Sequence, residues 1–101
     1  MRRGEVWFVD LGLAAKARPC LLLTDEPPDT ELALVTVVAH TMSVRGNPWE
    51  VAIPKPFLKP GAFHLQAIHS VPLAKFSHRM GTLTPAEMAI IDQALRARLQ
   101  L

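Results

Sequence analysis

Arg18, Thr41, Ser43 and His64 are the side chains with which this chain could grip a phosphate and move a proton. Arg18 precedes Pro19 at the mouth of an apolar run, where a planar guanidinium could fork onto phosphate oxygens. On residue physics alone, a surface ion pair with one of the acids between Asp25 and Glu31 is the more ordinary fate of that arginine. Thr41 and Ser43 follow the most apolar segment of the chain, where hydroxyls commonly cap a strand end by bonding backbone. His64 and Gln66 are two residues apart and share a face if the segment is extended. An imidazole with an ordinary pKa near ~6.5 is a natural proton shuttle, although a lone strand histidine is more often a structural hydrogen-bonding group.

What is missing narrows the chemistry. There is no Gly-rich phosphate loop, no G-x-S-x-G, no CxxC and no HExxH. His64 and His69 are five residues apart on an extended segment, so they face opposite sides and cannot chelate one ion. Glu50 is the lone acid of the central region, which leaves no carboxylate pair for a divalent cation. The expectation is a site with neither metal nor cofactor.

With 101 residues, 50% of them hydrophobic and 20% charged, the chain suits one compact domain, residues 1–101, and not a disordered segment. No apolar run approaches the ~18 residues of a membrane helix. Met1-Arg2-Arg3 resembles the start of a signal peptide, but Glu5 and Asp10 bracket too short an apolar stretch for an h-region. One cysteine, Cys20, cannot form an internal disulfide. An intracellular, cytoplasmic protein is expected. The net charge of +2 hides an asymmetry: the stretch DEPPDTE holds Asp25, Glu26, Asp29 and Glu31. From Leu32 to Ala86, Arg45, Lys55, Lys59, Lys75 and Arg79 face Glu50 alone, and all four histidines lie there. That surface suits RNA or DNA, with a solvated face of scattered lysines as the equally ordinary alternative.

The elements that must position these groups are mostly strands. Glu5 to Leu11 alternates, with Trp7 and Val9 on one face; Cys20 to Thr24 is a continuous apolar run after a short turn over Gly12 to Lys16. Leu32 to His40 is the strongest strand and reads as buried on both faces. Trp49 to Ile53 and Phe63 to Val71 follow, with Pro54, Pro56 and Pro60 confining the residues between them to a loop or sheet edge. Ser77 to Thr82 reads as a connection. Thr84, Pro85 and Glu87 predict a capped helix start, and Met88, Ile91, Leu95 and Leu99 an apolar stripe, with Asp92 spaced to meet Arg96. Five or so strands and one terminal helix make a small antiparallel barrel, or a strongly bent sheet, the economical fold.

Arg3-Gly4-Glu5-Val6-Trp7, then Lys16-Ala17-Arg18-Pro19 with its apolar strand, resembles the opening of the PemK/MazF family of toxin endoribonucleases. The likeness continues through Thr41 and Gly46 to Val51, and closes with Gly81-Thr82-Leu83-Thr84-Pro85-Ala86-Glu87-Met88. It implies a mainly β, SH3-like small antiparallel barrel with a C-terminal helix, and a homodimer. It also implies metal-independent cleavage of single-stranded RNA or mRNA at short sequences, restrained by a cognate antitoxin. The family's catalytic arginine falls on Arg18 and its threonine on Thr41. Lys16, Ser43, Arg45, Gln66 and His69 become the implied substrate contacts. The first loop, Leu11 to Ala17, is shorter than usual, and His64, Gln66 and His69 stand where arginines and an acid are common.

Such chemistry uses the RNA 2′-hydroxyl as nucleophile and yields a 2′,3′-cyclic phosphate and a 5′-hydroxyl. Arg18 would stabilise the phosphorane, Thr41 would orient the phosphate, and His64 could supply a proton transfer. Two other readings stay open: a catalytically degenerate RNA- or partner-binding module of the same fold, and a toxin acting on a protein such as gyrase. Retention of both Arg18 and Thr41 weighs against the latter.

Overall fold

The computed structural model describes residues 1–12 and 16–101. It contains β1 (Glu5–Asp10), β2 (Ala17–Leu22), β3 (Leu34–Thr41), β4 (Glu50–Val51), β5 (Ala62–Pro72), β6 (Phe76–Thr82) and α1 (Pro85–Leu99). All pairings are antiparallel, in one six-stranded sheet of order β4-β5-β3-β2-β1-β6. Among the described residues no ladder joins β4 to β6, so the sheet is not a closed barrel. Part of the reason is local: β4 is two residues long, and Pro54, Pro56 and Pro60 follow it too closely for more ladder to form.

The apolar runs become strands because their alternation can be buried on two sides. Leu21 and Val38 enter one core cluster with Val6, Phe63, Leu65 and Ile91. Cys20, Leu22, Val35, Val37 and Ala39 enter the other with Val9 and Val71. The middle strands β2 and β3 thus feed both clusters, as the unbroken hydrophobicity of β3 predicts.

Several boundaries differ from the sequence expectation. β2 begins at Ala17, so Arg18 and Pro19 lie inside it; Pro19 is tolerated because pairing with β3 starts only at Cys20. The stretch from Ser77, expected as a connection, belongs to β6, an edge strand on β1 with two register shifts. Its polar residues face solvent, which disguised it. Pro72 ends β5 opposite Leu34 instead of lying beyond it. The turn expected over Gly12 to Lys16 includes residues 13–15, which lie outside the described residues.

The helix start is as read. Thr84 Oγ1 accepts the Glu87 N–H at 3.2 Å, and Glu87 Oε1 accepts the Thr84 N–H at 2.8 Å. Glu87 also takes the Lys55 ammonium at 2.8 Å, tying α1 to the Pro-rich loop. Met88 and Ile91 are buried, whereas Leu99 is 53% exposed, so the stripe leaves the core in its last turn. Asp92 pairs with Arg3, not Arg96. Arg3 also donates its N–H to Asp25 at 2.7 Å and Nε–H to the Leu23 carbonyl at 3.0 Å. One residue of the acidic loop thereby anchors the segment leading into β1.

Candidate active site

Cys20 pairs with Ala39 and Leu21 with Val38. Continuing that antiparallel register two residues further on each strand sets Arg18 across from Thr41, just past the last paired residues. There the two strands leave the core and their side chains meet open space. Two clefts adjoin this rim, of about 410 and 420 Å³, and both are lined by Arg18, Thr41 and Ser43.

The second cleft is polar and gathers six of the candidate residues: Arg18, Thr41, Ser43, Arg45, His64 and Gln66. Lys16 lines the first. His69 is not brought to either cleft; it lines a separate hollow with Asp10 and Lys75. The reason is strand length, since five residues at ~3.4 Å each carry it roughly 17 Å from His64 along β5.

Local hydrogen bonds set the geometry. Thr41 Oγ1 accepts the Ser43 N–H at 3.0 Å, which holds the strand exit and leaves the hydroxyl hydrogen for an outside acceptor. His64 Nδ1 accepts the Gln66 N–H at 3.2 Å, so the neutral ring carries its proton on Nε2 and offers a donor there. Glu50, opposite His64 in the β4–β5 ladder, accepts N–H bonds from Arg45 at 2.7 Å, Gly46 at 2.6 Å and Asn47 at 3.0 Å. The Arg45 N–H does most to hold this carboxyl below its ordinary 4.5; partial burial opposes it, and Asn47, Gly46 and nearby His64 add to it.

The sequence reading missed three contributors. His40 is 5% exposed, packs edge-on against Phe63 with centroids 5.1 Å apart, and lines the first cleft. Burial pushes its pKa below the usual 6.5. Phe57 reaches the same cleft across Gly81, whose missing side chain leaves the ring its place: a Cβ there would stand 2.4 Å from it. Glu50 was noticed only as an isolated acid. The turn Arg45-Gly46-Asn47-Pro48, followed by an acid at the strand start, was the available signal for its capping role. Cys20 is buried beside the site, and desolvation pushes its thiol up to about 12. Among the described residues no three His, Cys, Asp or Glu side chains converge.

The chain is thus a small antiparallel sheet with one terminal helix, carrying Arg18 and Thr41 on its rim between two clefts. The family described as PemK-like, MazF-like toxin of type II toxin-antitoxin system matches residues 2–99, and the chain belongs to that family. It is 34% identical over 100 residues to Probable endoribonuclease MazF2 of Mycobacterium tuberculosis, covering 96% of each chain. It superposes on a mycobacterial endoribonuclease in complex with its cognate antitoxin with a TM-score of 0.83 and 29% identity, over 100% of this chain and 96% of that one. A second mycobacterial endoribonuclease gives a TM-score of 0.80 at 28% identity, over 100% and 92%.

Proposed function

We propose that this chain is the toxin of a type II toxin–antitoxin pair and acts as a metal-independent endoribonuclease on single-stranded RNA, mRNA included. The observation that carries the reading is the placement of Arg18 across from Thr41, between two clefts that admit the nucleotides on either side of a phosphate. The Arg18 guanidinium supplies fixed positive charge to the phosphorane, where charge develops during attack by the neighbouring 2′-hydroxyl. Thr41 donates its hydroxyl hydrogen to a non-bridging oxygen. His64 offers Nε2–H as a further donor from the polar cleft, a binding role more than the proton transfer expected from sequence. Arg45, Gln66 and Ser43 line the path of the chain on that side, and Lys16 on the other. His69 has no part.

The nucleophile belongs to the RNA, so the protein needs no activated water. The products are a 2′,3′-cyclic phosphate and a 5′-hydroxyl. The partners are a second copy of the chain, as homodimer, and a cognate antitoxin whose acidic groups would compete with RNA for Arg18, Arg45 and Lys16. No described helix is long and apolar enough to cross a membrane, and we place the pair in the cytoplasm.

The test is cleavage of a long RNA in excess EDTA, with product ends mapped. Undiminished cleavage that Arg18→Ala lowers by ~10²–10³ supports the mechanism. Dependence on Mg²⁺, or tight RNA binding with no product, would overturn it in favour of another nuclease chemistry or of a binding module.

A further inference from the structure

We propose that the cleft holding His40 is a nucleobase subsite, in which His40 reads one edge of a base that flanks the scissile phosphate. This rests on the endoribonuclease reading and adds to it a position of sequence specificity.

Three observations point the same way. The cleft measures about 410 Å³, inside the range of roughly 300–1,000 Å³ that small-molecule sites occupy. Its walls carry Phe8, Phe57, Met42 and Met80, the aromatic and thioether surfaces on which a flat, polarisable ring stacks without regard to its identity. Identity must therefore come from a polar group, and the cleft holds a buried one. His40 is 5% exposed, yet among the described residues no protein group hydrogen-bonds its ring. Among the described residues no fully sealed side-chain nitrogen or oxygen lacks a partner, so the imidazole nitrogens keep a little open surface, and the ring lines this cleft. An imidazole nitrogen with open surface in a largely apolar cleft can pair with one base edge.

The position of the cleft decides which base. It shares Arg18, Thr41 and Ser43 with the polar cleft, so a phosphate held at the rim has one neighbouring nucleoside on each side. The polar side offers His64 and Gln66 to a base edge; the apolar side offers stacking surfaces and a single imidazole. Lys59 lines the apolar cleft as well, placed for the next phosphate along. A site that hydrogen-bonds one edge in an otherwise apolar pocket penalises bases that leave the imidazole unpaired.

The experiment has two arms. In the first, wild-type and His40→Leu proteins cut a randomised RNA pool, and the bases around each cut are read. The expected result is a preference at one nucleotide next to the cut that flattens roughly tenfold in His40→Leu while other positions keep theirs. In the second arm the wild-type protein binds an oligonucleotide blocked by a 2′-O-methyl group at the cut, with or without an abasic residue at each flanking position. Each abasic position should weaken binding roughly tenfold, one through each cleft. This arm needs no variant: a loss at both positions supports the subsite if His40→Leu fails to fold, and a loss at one position or neither overturns it. Unchanged base preferences in a folded variant, or equal affinities for intact and abasic RNA, overturn the subsite and leave the cleft to a protein surface. A wild-type protein that cuts no RNA would instead sink the nuclease reading, and the subsite with it.

Discussion

Glu50 stands directly across the β4–β5 ladder from His64, and its carboxylate gathers the backbone N–H groups of Arg45, Gly46 and Asn47. One acid thus shapes the turn that carries Arg45 and Asn47 into the polar cleft and sits beside the histidine of the same cleft. The lone negative charge of the basic central region holds three backbone N–H groups.

Those bonds favour the charged carboxylate, so Glu50 titrates below its ordinary 4.5 in the folded protein. Glu87 does so too, chiefly through the Lys55 ammonium and the Thr84 N–H. A depressed folded pKa means the stabilisation is fully present above the unfolded value and is lost as pH falls through the folded one. The melting temperature should drop below about pH 4.5, and the Glu50→Gln, Glu87→Gln double variant should show a shallower drop. Parallel curves would refute the assignment.

Thr41 carries a hydroxyl bonded to the Ser43 N–H. Thr41→Val keeps the shape and removes both the acceptor and the outward donor, so single-turnover cleavage should slow by ~10²–10³. Thr41→Ser should retain most of the rate. A valine variant as fast as wild type would take Thr41 out of the site.

His40 is buried and titrates below 6.5 when folded, because burial disfavours its charge. The unfolded chain therefore binds a proton more readily as pH falls below about 6.5, and stability declines from there toward the folded value. Denaturation midpoints between pH 7.5 and 5 (roughly the span of histidine titration) should fall in wild type and fall less in His40→Leu. A steeper fall in the variant would contradict the burial argument.

Cys20 is buried, and its thiol lies at about 12. Since the thiolate is the reactive form, the native protein should resist iodoacetamide near pH ~8 and react only as fast as it opens. Rapid modification without denaturant would show the thiol to be accessible.

Gly81 leaves room for the Phe57 ring, with a Cβ there falling 2.4 Å from it. Gly81→Ala should destabilise by about 1–3 kcal/mol through overpacking. Shortening the ring in a Gly81→Ala, Phe57→Leu pair should return part of that loss, measurable by chemical denaturation as a coupling between the two sites.

Legibility followed the range of the interaction. The capping box at Thr84–Glu87 is contained in four consecutive residues, and it was readable there. β3 was readable because β-branched residues fill both faces of a central strand. β6 was not, because its partner β1 lies about seventy residues earlier and its own residues are polar. Asp92 has a suitable local partner in Arg96 and takes Arg3 instead, a choice made by packing the helix near the segment that enters β1. His40 was counted only as one of four histidines of the basic region, since a side chain's burial and the cleft it borders depend on residues from elsewhere.

The amino-acid sequence by itself determined the strand-rich class, the helix start and the uneven charge, and its motif order nominated Arg18 and Thr41, because each is written in composition, short-range periodicity or the succession of motifs. Only the tertiary structure decided that the sheet stays open, that His69 lies away from the rim, and that His40 and Glu50 belong beside it. Arg18 and Thr41 meet through a β2–β3 register anchored by Cys20, Leu21 and Leu22, and the clefts around them are closed by side chains from β1, β5, β6 and the loop bearing Phe57. Such a site depends on which distant strands bury one another's apolar faces, and no local pattern encodes that.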